Sequence, residues 1–539
     1  MSAKESGVVE APCGPVQGKT FTFEDGKSVS AFLGIPFAKP PVGELRFKKP
    51  VPADHWTTVK KCDKFSPAFP YVSVFPGREL ELSEEFLTVN VFAPEPIQQG
   101  QKKYPVLFYI HGGGFLIDDV SMLGDEGICK NLCSKDIVVV SIDYRLGIFG
   151  FFTLENEDVK GNYGMWDMAL ALKWTKQNIL AFGGDPDKIT VAGQSAGAAA
   201  SDLLALSPIT RDLFIQFISF AGTSFAEWLY MDSSHSRKVM IEYAKHLGAE
   251  ITDSTTEEVN KQVFDFFKSC DASKLAVGIH PNPEFKFYPQ NTLPLGPCFD
   301  GEFFPKPLEE LRKEAPKKNV INGVTECEGL LFASAKVMQP ELTFKQLVSQ
   351  VLYSIRPDLP LDANHKFCTN ALEKHNEEDE LEHAKHCMNV ASDFMFNAGA
   401  IKMTESYVSH GSTVYNYVFS YFRKGTLGLL EPALPFGAAT HCMELPYLFG
   451  KSLFGGYEFK EEDREIVDRF TTYITNFIKT GDPNSSKFPE KWNPSTKGHE
   501  GTYFLFGQNE FCNRDNFCGG DRAKKWDRIF KENPRKSHI

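Results

Sequence analysis

The segment TVAGQSAGAA at residues 190–199 places Ser195 between Gly193 and Gly197. A serine in a Gly-x-Ser-x-Gly segment is typical of hydrolases that carry an acyl group as an ester on the serine oxygen. The same five residues also fit an ordinary turn of small residues. With 42 glycines in 539 residues, the pattern arises by chance about 0.2 times in such a chain. The surrounding elements must therefore decide between the two interpretations.

Short apolar runs and a helical pattern alternate around this segment. Apolar runs occupy 104–110, 137–144 and 188–193, and a helical pattern covers 166–182. This alternation predicts strand–helix–strand units and a parallel sheet. Ser195 follows the third run and precedes an alanine-rich stretch suited to begin a helix. A sharp strand–turn–helix connection is the setting that a serine nucleophile requires, and it favours this role for Ser195.

A second glycine-rich motif follows the first apolar run. It reads His111-Gly112-Gly113-Gly114-Phe115. Glycines let backbone N–H groups approach a ligand, and acyl transfer needs such donors where negative charge develops on the substrate oxygen. Three glycines alone fit a flexible turn equally well. Together with Ser195 downstream, they indicate an oxyanion-binding loop.

Composition excludes several classes of function. The net charge of −12 argues against nucleic acids and anionic membrane surfaces as partners. No apolar stretch approaches the length of a membrane span. The twelve cysteines are too few for a disulfide scaffold and lack zinc-site spacing. The HAKHC stretch at 383–387 is interpreted as a solvated helix face because charged residues surround it.

Longer blocks carry a family resemblance. They include FLGIPFAKPPVGELRF at 32–47, VVVSIDYRLGIFGF at 138–151, GNYGMWDMALALKW at 161–174 and KTGDPN at 479–484. With these blocks in this order, the chain resembles the type-B carboxylesterase and cholinesterase family of α/β-hydrolases over nearly its whole length. The resemblance implies one α/β-hydrolase domain over 1–539. Its large, mostly parallel, twisted sheet would be flanked by helices, and helical insertions would form an active-site gorge.

The resemblance also assigns roles to residues. The family places its catalytic acid in a G-x-x-x-x-E-G segment, which falls on Glu328 here; Glu326 lacks the following glycine and is expected at the surface. The family histidine opens an H-G-x-E stretch, which falls on His441. The implied catalytic residues are Ser195, Glu328 and His441, with the N–H groups of Gly113, Gly114 and Ala196 as oxyanion donors. No metal or cofactor is implied.

The implied activity is hydrolysis of uncharged, largely apolar carboxylic esters, which are small molecules, through an acyl-enzyme on Ser195. Two alternatives remain open. The same acyl-enzyme could pass its acyl group to an alcohol or amine. Some members of the superfamily are non-catalytic binding or adhesion proteins, although these typically lack part of the triad, which this chain retains.

Four positions depart from the secreted relatives. By the resemblance, Phe69 and Phe86 stand where those proteins carry one disulfide, and a second family disulfide would fall near Ala249 and Phe266. Loss of both partners in each pair suits a reducing compartment. The first residues, MSAKESGVVEAPCG, also lack a secretory-signal pattern, so a cytoplasmic location is expected. A further hypothesis is that packing between Phe69 and Phe86 replaces one disulfide.

Three further departures concern the site. The stretch YVSVFPGRELELSEE at 71–85 lacks the tryptophan with which cholinesterases hold a quaternary ammonium, so a choline ester is not the expected substrate. Gln194 replaces the usual glutamate before the serine, and Cys442 replaces the glycine after the histidine. Segments 70–82, 224–240 and 330–356 are expected to form the gorge rim.

Overall fold

The computed structural model describes residues 3–73, 80–97, 103–229, 233–252, 254–277, 295–337, 341–356, 379–453, 455 and 457–533. Within these ranges, thirteen strands form one sheet. The strands are β1 (Lys4–Ala11), β2 (Gly14–Thr22), β3 (Ser28–Pro36), β4 (Lys60–Lys61), β5 (Thr88–Pro94), β6 (Tyr104–Ile110), β7 (Val138–Ile142), β8 (Gly184–Gln194), β9 (Gln216–Phe220), β10 (Asn319–Thr325), β11 (Val414–Phe419), β12 (Tyr503–Phe506) and β13 (Phe511–Arg514).

The strand order is β1-β2-β3-β5-β7-β6-β8-β9-β10-β11-β12-β13, with the short β4 beside β2. From β7 to β12 along this order, neighbouring strands are parallel. From β1 to β7 along this order, and between β12 and β13, neighbouring strands are antiparallel, whereas the short β4 is parallel to β2. The structure thus confirms the predicted α/β class with a mostly parallel sheet.

Fourteen α-helices lie within the described ranges. They are α1 (Glu126–Asn131), α2 (Gly147–Phe151), α3 (Tyr163–Asn178), α4 (Ala196–Leu206), α5 (Ser233–His246), α6 (Thr256–Ser269), α7 (Ala272–Leu275), α8 (Leu308–Glu314), α9 (Phe344–Ile355), α10 (Glu380–Ser392), α11 (Ala398–Ser409), α12 (Leu445–Phe449), α13 (Arg464–Thr480) and α14 (Asp521–Glu532).

Two hydrophobic cores cover the two faces of the sheet. Because side chains alternate along a strand, Val106, Phe108 and Ile110 of β6 join one core, and Leu107 and Tyr109 join the other. Helices α3 and α4 pack in the first core, and α12 and α13 pack in the second. The sheet is therefore sandwiched between helices, and the site must lie at the carboxyl edge of its parallel strands.

The predicted elements around the serine are confirmed with small differences. Strand β6 matches the predicted run at 104–110, and β8 includes the run at 188–193. Helix α3 begins at Tyr163, three residues before the predicted 166. Tyr163 and Met165 are buried, so the change from polar to apolar that marks the start of an amphipathic helix is missing there.

The positions of the absent disulfides differ in burial. Phe69 is buried and its ring packs against that of Phe149 at 5.3 Å. Phe86 is 38% exposed. The hypothesis that packing between Phe69 and Phe86 replaces a disulfide stays a prediction. Phe86 directly precedes the buried Leu87, after which β5 begins at Thr88.

Candidate active site

Ser195 occupies the turn between β8 and α4. Its backbone has φ 55° and ψ −120°, a conformation that side-chain-bearing residues rarely adopt. The Ser195 N–H donates to the Phe220 carbonyl at 2.8 Å, and the Ser195 carbonyl accepts from Ala199 N–H at 3.0 Å. The side chain is partly exposed. The turn thus holds the hydroxyl at the carboxyl edge of the sheet in a fixed direction, as a nucleophile elbow does.

The glycines on either side make this turn possible. A Cβ on Gly193 would lie 2.2 Å from the Gly197 carbonyl carbon, and a Cβ on Gly197 would lie 2.2 Å from the Ile110 carbonyl oxygen. Both distances are far shorter than a van der Waals contact. The prediction that the turn brings backbone segments too close for side chains is therefore confirmed, and α4 can start directly against β6.

The structure brings Glu328 and His441 together although 113 residues separate them. His441 Nδ1 lies 2.6 Å from Glu328 Oε2, and both side chains are buried. The other carboxylate oxygen, Oε1, accepts from Thr325 N–H at 2.5 Å. Glu328 follows β10, so Thr325 at the strand end fixes the carboxylate. A carboxylate on Nδ1 keeps the ring proton there and leaves Nε2 as an acceptor.

The Nε2 atom of His441 faces Gln194, the residue before the serine. Gln194 Nε2 lies 3.1 Å from His441 Nε2, and the Gln194 side chain is buried. Because His441 Nε2 is the acceptor, the Gln194 amide N–H is the donor. Within the described part of the chain, this lone pair is thus taken by Gln194 and not by the Ser195 hydroxyl. Sequence reasoning singled out Gln194 but could not foresee this contact.

We expect Gln194→Glu to move the acid limb of the kcat/KM–pH profile to higher pH by about one unit. The new carboxylate would lie next to Nε2 and favour the protonated imidazolium, so neutral imidazole would prevail only at higher pH. The measurement is kcat/KM for one ester between pH 5 and 9. Gln194→Met, which also loses the amide donor to Nε2 but adds no charge, should move the limb less than Gln194→Glu does. Coincident limbs for Gln194→Glu and wild type would contradict the prediction.

The loop after β6 lies against the serine turn. A Cβ on Gly112 would lie 3.1 Å from Ser195 Cβ. Gly113 and Gly114 have φ 89° and 62°, in the left-handed region that favours glycine. Among the described residues, no acceptor pairs with the N–H groups of Gly113, Gly114 or Ala196. These three N–H groups, on the loop after β6 and at the start of α4, are thus free within the described part of the chain.

Aromatic rings form a wall beside His441. The His441 ring centroid lies 4.4 Å from that of Phe396 and 6.0 Å from that of Phe332. Phe396 belongs to a π-helical turn, Asp393–Asn397, and Trp228 Nε1 donates to the Met395 carbonyl in the same turn at 2.8 Å. π-helical turns often occur at functional sites. Here the turn directs Phe396 at the histidine, and no local sequence signal indicated it.

Two more side chains near the histidine were not assigned roles from the sequence. Glu444 is fully buried, and burial, with the nearby Glu328 carboxylate, raises its pKa to about 8. Tyr417 donates to Glu444 Oε1 at 3.3 Å. Cys442 has φ 73°, the conformation for which the family's glycine is suited. Burial raises the pKa of the Cys442 thiol well above its usual range, so the thiol is neutral and a poor nucleophile.

Several other expectations can be compared with the structure. Glu326 is exposed, as predicted. The HAKHC stretch lies in α10, and the described residues contain no cluster of His, Cys, Asp and Glu suited to a metal ion. No described helix combines the length and apolar character that a membrane crossing requires. The predicted rim segments fall partly outside the described residues, at 74–79, 230–232 and 338–340.

Comparison with known proteins supports one family. The family model described as the carboxylesterase family matches residues 5–519. The chain is 40% identical to Esterase cest-33 of Caenorhabditis elegans, over 88% of this chain and 85% of that protein. It is 32% identical to Acylcarnitine hydrolase of Mus musculus, over 88% and 83%. It is 30% identical to Acetylcholinesterase of Bungarus fasciatus, over 88% and 78%.

Proposed function

The chain belongs to the carboxylesterase family and is a carboxylic-ester hydrolase, and we propose that it works through an acyl-enzyme on Ser195. The single observation that carries this proposal is the buried His441–Glu328 hydrogen bond of 2.6 Å, with Nε2 facing the serine turn. It supplies an oriented base whose Nε2 faces Gln194, the residue that precedes Ser195 in the strained turn. That pair is what activates a serine for attack on a carbonyl.

In the first half of the reaction, Ser195 Oγ attacks the ester carbonyl carbon while His441 Nε2 takes the hydroxyl proton. Negative charge develops on the carbonyl oxygen, and the N–H groups of Gly113, Gly114 and Ala196 stabilise it; one such donor contributes about 10²–10³ to the rate. The imidazolium then gives its proton to the leaving alkoxide. The alcohol departs, and the acyl group remains as an ester on Ser195.

In the second half, His441 takes a proton from a water molecule, which attacks the acyl-enzyme. The same three N–H groups stabilise the second oxyanion, and collapse of this intermediate returns the proton to Ser195 and releases the carboxylic acid. Glu328 stabilises the imidazolium in both halves without itself becoming protonated. For His441 to take the proton from Ser195, the Gln194 amide must give up its hydrogen bond to Nε2.

We propose uncharged esters with apolar acyl groups as the substrates. The support is the aromatic wall of Phe396 and Phe332 beside His441, which favours apolar groups over charged ones. The cholinesterase tryptophan is absent from the stretch at 71–85. One relative is named acylcarnitine hydrolase and another acetylcholinesterase, and both names refer to esters that carry a quaternary ammonium group.

A pre-steady-state assay tests this proposal. With p-nitrophenyl butyrate, we expect a burst of about one p-nitrophenol per chain if deacylation is slower than acylation. Butyrylcholine, which has the same acyl group and a cationic alcohol, should have a much lower kcat/KM. Product analysis with an added alcohol distinguishes hydrolysis from acyl transfer. Absence of turnover with every ester would favour a non-catalytic protein and overturn the proposal, and a preference for butyrylcholine would overturn the substrate class.

We also propose a cytoplasmic location. Phe69, Phe86, Ala249 and Phe266 replace the four cysteines of secreted relatives, and a protein without these disulfides suits a reducing compartment. Imaging of the full chain with a C-terminal fluorescent tag tests this location. Signal confined to the secretory pathway would contradict it.

A further inference from the structure

We propose that the Tyr144 hydroxyl is a positioning group for the oxyanion loop. Together with His111 Nδ1, it holds the Gly112 carbonyl and thereby directs the Gly113 N–H towards Ser195. This inference rests on the proposed function, because the Gly113 N–H has a task only if an oxyanion forms there. Tyr144 does not contact the reacting atoms, and it acts through the loop.

The sheet places Tyr144 beside this loop. Tyr144 lies two residues after β7, and His111 directly follows β6; these strands are parallel neighbours, with Ile142 paired to Ile110. Both residues therefore leave the sheet at the same edge. Their rings stack with centroids 4.4 Å apart and planes at 21°, and both side chains are buried.

The hydrogen bonds converge on loop carbonyls. The Tyr144 hydroxyl lies 3.1 Å from the His111 carbonyl oxygen and 3.3 Å from that of Gly112. His111 Nδ1 lies 3.1 Å from the same Gly112 oxygen. The N–H groups of Leu116 and Ile117 donate to the Gly113 carbonyl at 3.0 and 3.1 Å. The Tyr144 hydroxyl proton is thus shared between the His111 and Gly112 carbonyls, His111 Nδ1 supplies a second donor to the Gly112 carbonyl, and main-chain N–H groups hold the Gly113 carbonyl.

The geometry of the peptide bond links the position of the Gly112 carbonyl to the direction of the Gly113 N–H. The Gly112 C=O and the Gly113 N–H belong to one planar trans peptide and point in opposite directions. Fixing the carbonyl therefore fixes the N–H. The three glycines have no side chains that could do this by packing, and Gly113 can adopt many backbone conformations. The Tyr144 hydroxyl and His111 Nδ1 thus act as a clamp on the Gly112 carbonyl. Without this clamp, the loop must be ordered during the reaction, which raises the free-energy barrier of the reaction.

The clamp itself is rigid and uncharged. Arg145, the next residue, is fixed by its backbone N–H and its Nε, which donate to Asp167 Oδ2 of α3 at 3.0 and 2.8 Å. Burial raises the pKa of Tyr144 well above its usual range, so the hydroxyl remains a donor. Burial also lowers the pKa of His111 to about 4. His111 is then neutral, and its Nε2 atom has no partner among the described residues.

The variant Tyr144→Phe removes the hydroxyl and keeps the ring stack. We expect kcat to fall by about 10- to 100-fold, which is part of the 10²–10³ that loss of one oxyanion donor costs, with little change in KM. A trifluoromethyl ketone forms an oxyanion on the serine, whereas its methyl ketone analogue binds without forming one. The inhibition constant of the trifluoromethyl ketone should rise by the same factor as kcat falls, and that of the methyl ketone should not change.

The control is Tyr473→Phe. Tyr473 is also buried and donates to a main-chain carbonyl, that of Glu490 at 2.8 Å, but it lies on α13 in the second core. It should alter thermal stability without altering the ratio of the two inhibition constants. A change in that ratio for Tyr144→Phe alone separates positioning of the loop from a general structural role.

Failure of this inference and failure of the proposed function give different experimental results. A folded Tyr144→Phe variant with wild-type kcat and a wild-type inhibitor ratio would overturn the inference and leave the proposed function intact. If the wild type itself neither hydrolyses esters nor prefers the trifluoromethyl ketone, the proposed function fails. Should Tyr144→Phe not fold, His111→Phe removes the second donor to the same Gly112 carbonyl, and an unchanged inhibitor ratio there would also overturn the inference.

Discussion

Replacing Ser195 by alanine is expected to lower kcat for ester hydrolysis by about 10⁶-fold, the loss seen when a serine protease loses its nucleophile. Without Oγ no acyl-enzyme forms, and the burst of alcohol product disappears. The free N–H groups around the site remain, so a residual rate above the uncatalysed reaction is expected. The measurement is kcat with p-nitrophenyl butyrate, corrected for spontaneous hydrolysis.

Ser201→Ala is the matched control. Ser201 lies on the same helix, α4, and its buried hydroxyl donates to the Gly197 carbonyl at 2.8 Å. Its loss should change kcat by less than about threefold. The substitution removes one hydrogen bond that contributes about 1 kcal/mol to the stability of the fold, and the Ser201 hydroxyl takes no part in the reaction. If Ser195→Ala retained a tenth of the wild-type kcat, Ser195 would not be the nucleophile.

Replacing Glu328 by glutamine is expected to lower kcat by about 10⁴-fold, as the corresponding change does in serine proteases. The glutamine Oε1 atom can still accept from Thr325 N–H, so the side chain keeps its place. Its amide N–H would then face His441 Nδ1 and move the ring proton to Nε2. In that tautomer Nε2 is a donor and cannot take the proton from Ser195.

Glu326→Gln provides the matched comparison. Glu326 is two residues away and exposed, so its kcat should equal that of the wild type. Both variants are measured with the same ester, and circular dichroism verifies that they fold. If Glu326→Gln were the inactive variant and Glu328→Gln the active one, the assignment of the catalytic acid would be wrong.

The fold could be predicted wherever the sequence pattern reflects a local environment. Strand β6 was predicted to the residue because it is a short apolar run that ends at the His111 motif. The start of α3 was missed because a helix buried on most sides has no polar face to mark its first turn. Phe86 shows a related limitation at the surface. Its apolar side chain alone does not indicate that this residue, just before β5, is 38% exposed.

The site was predictable to the extent that its motifs are contiguous. Ser195 and the glycines around it can be predicted from their own contiguous motif. Glu328 and His441 were assigned by resemblance to the family, because nothing in the local sequence distinguishes them from other buried polar residues. The Gln194–His441 contact spans 247 positions. The clamp of Tyr144 on the Gly112 carbonyl depends on the adjacency of β6 and β7. Contacts of this kind are decided by tertiary packing, which local patterns do not encode.

Labelling of the full chain with an uncharged fluorophosphonate, followed by intact mass measurement and peptide mapping, tests directly whether Ser195 is the nucleophile. We expect one adduct per chain, located on Ser195, with loss of activity in proportion to labelling. Ser195→Ala should not be labelled, and Ser201→Ala should be labelled like the wild type. An adduct on another residue, or active wild-type protein that takes up no label, would show that Ser195 is not the nucleophile.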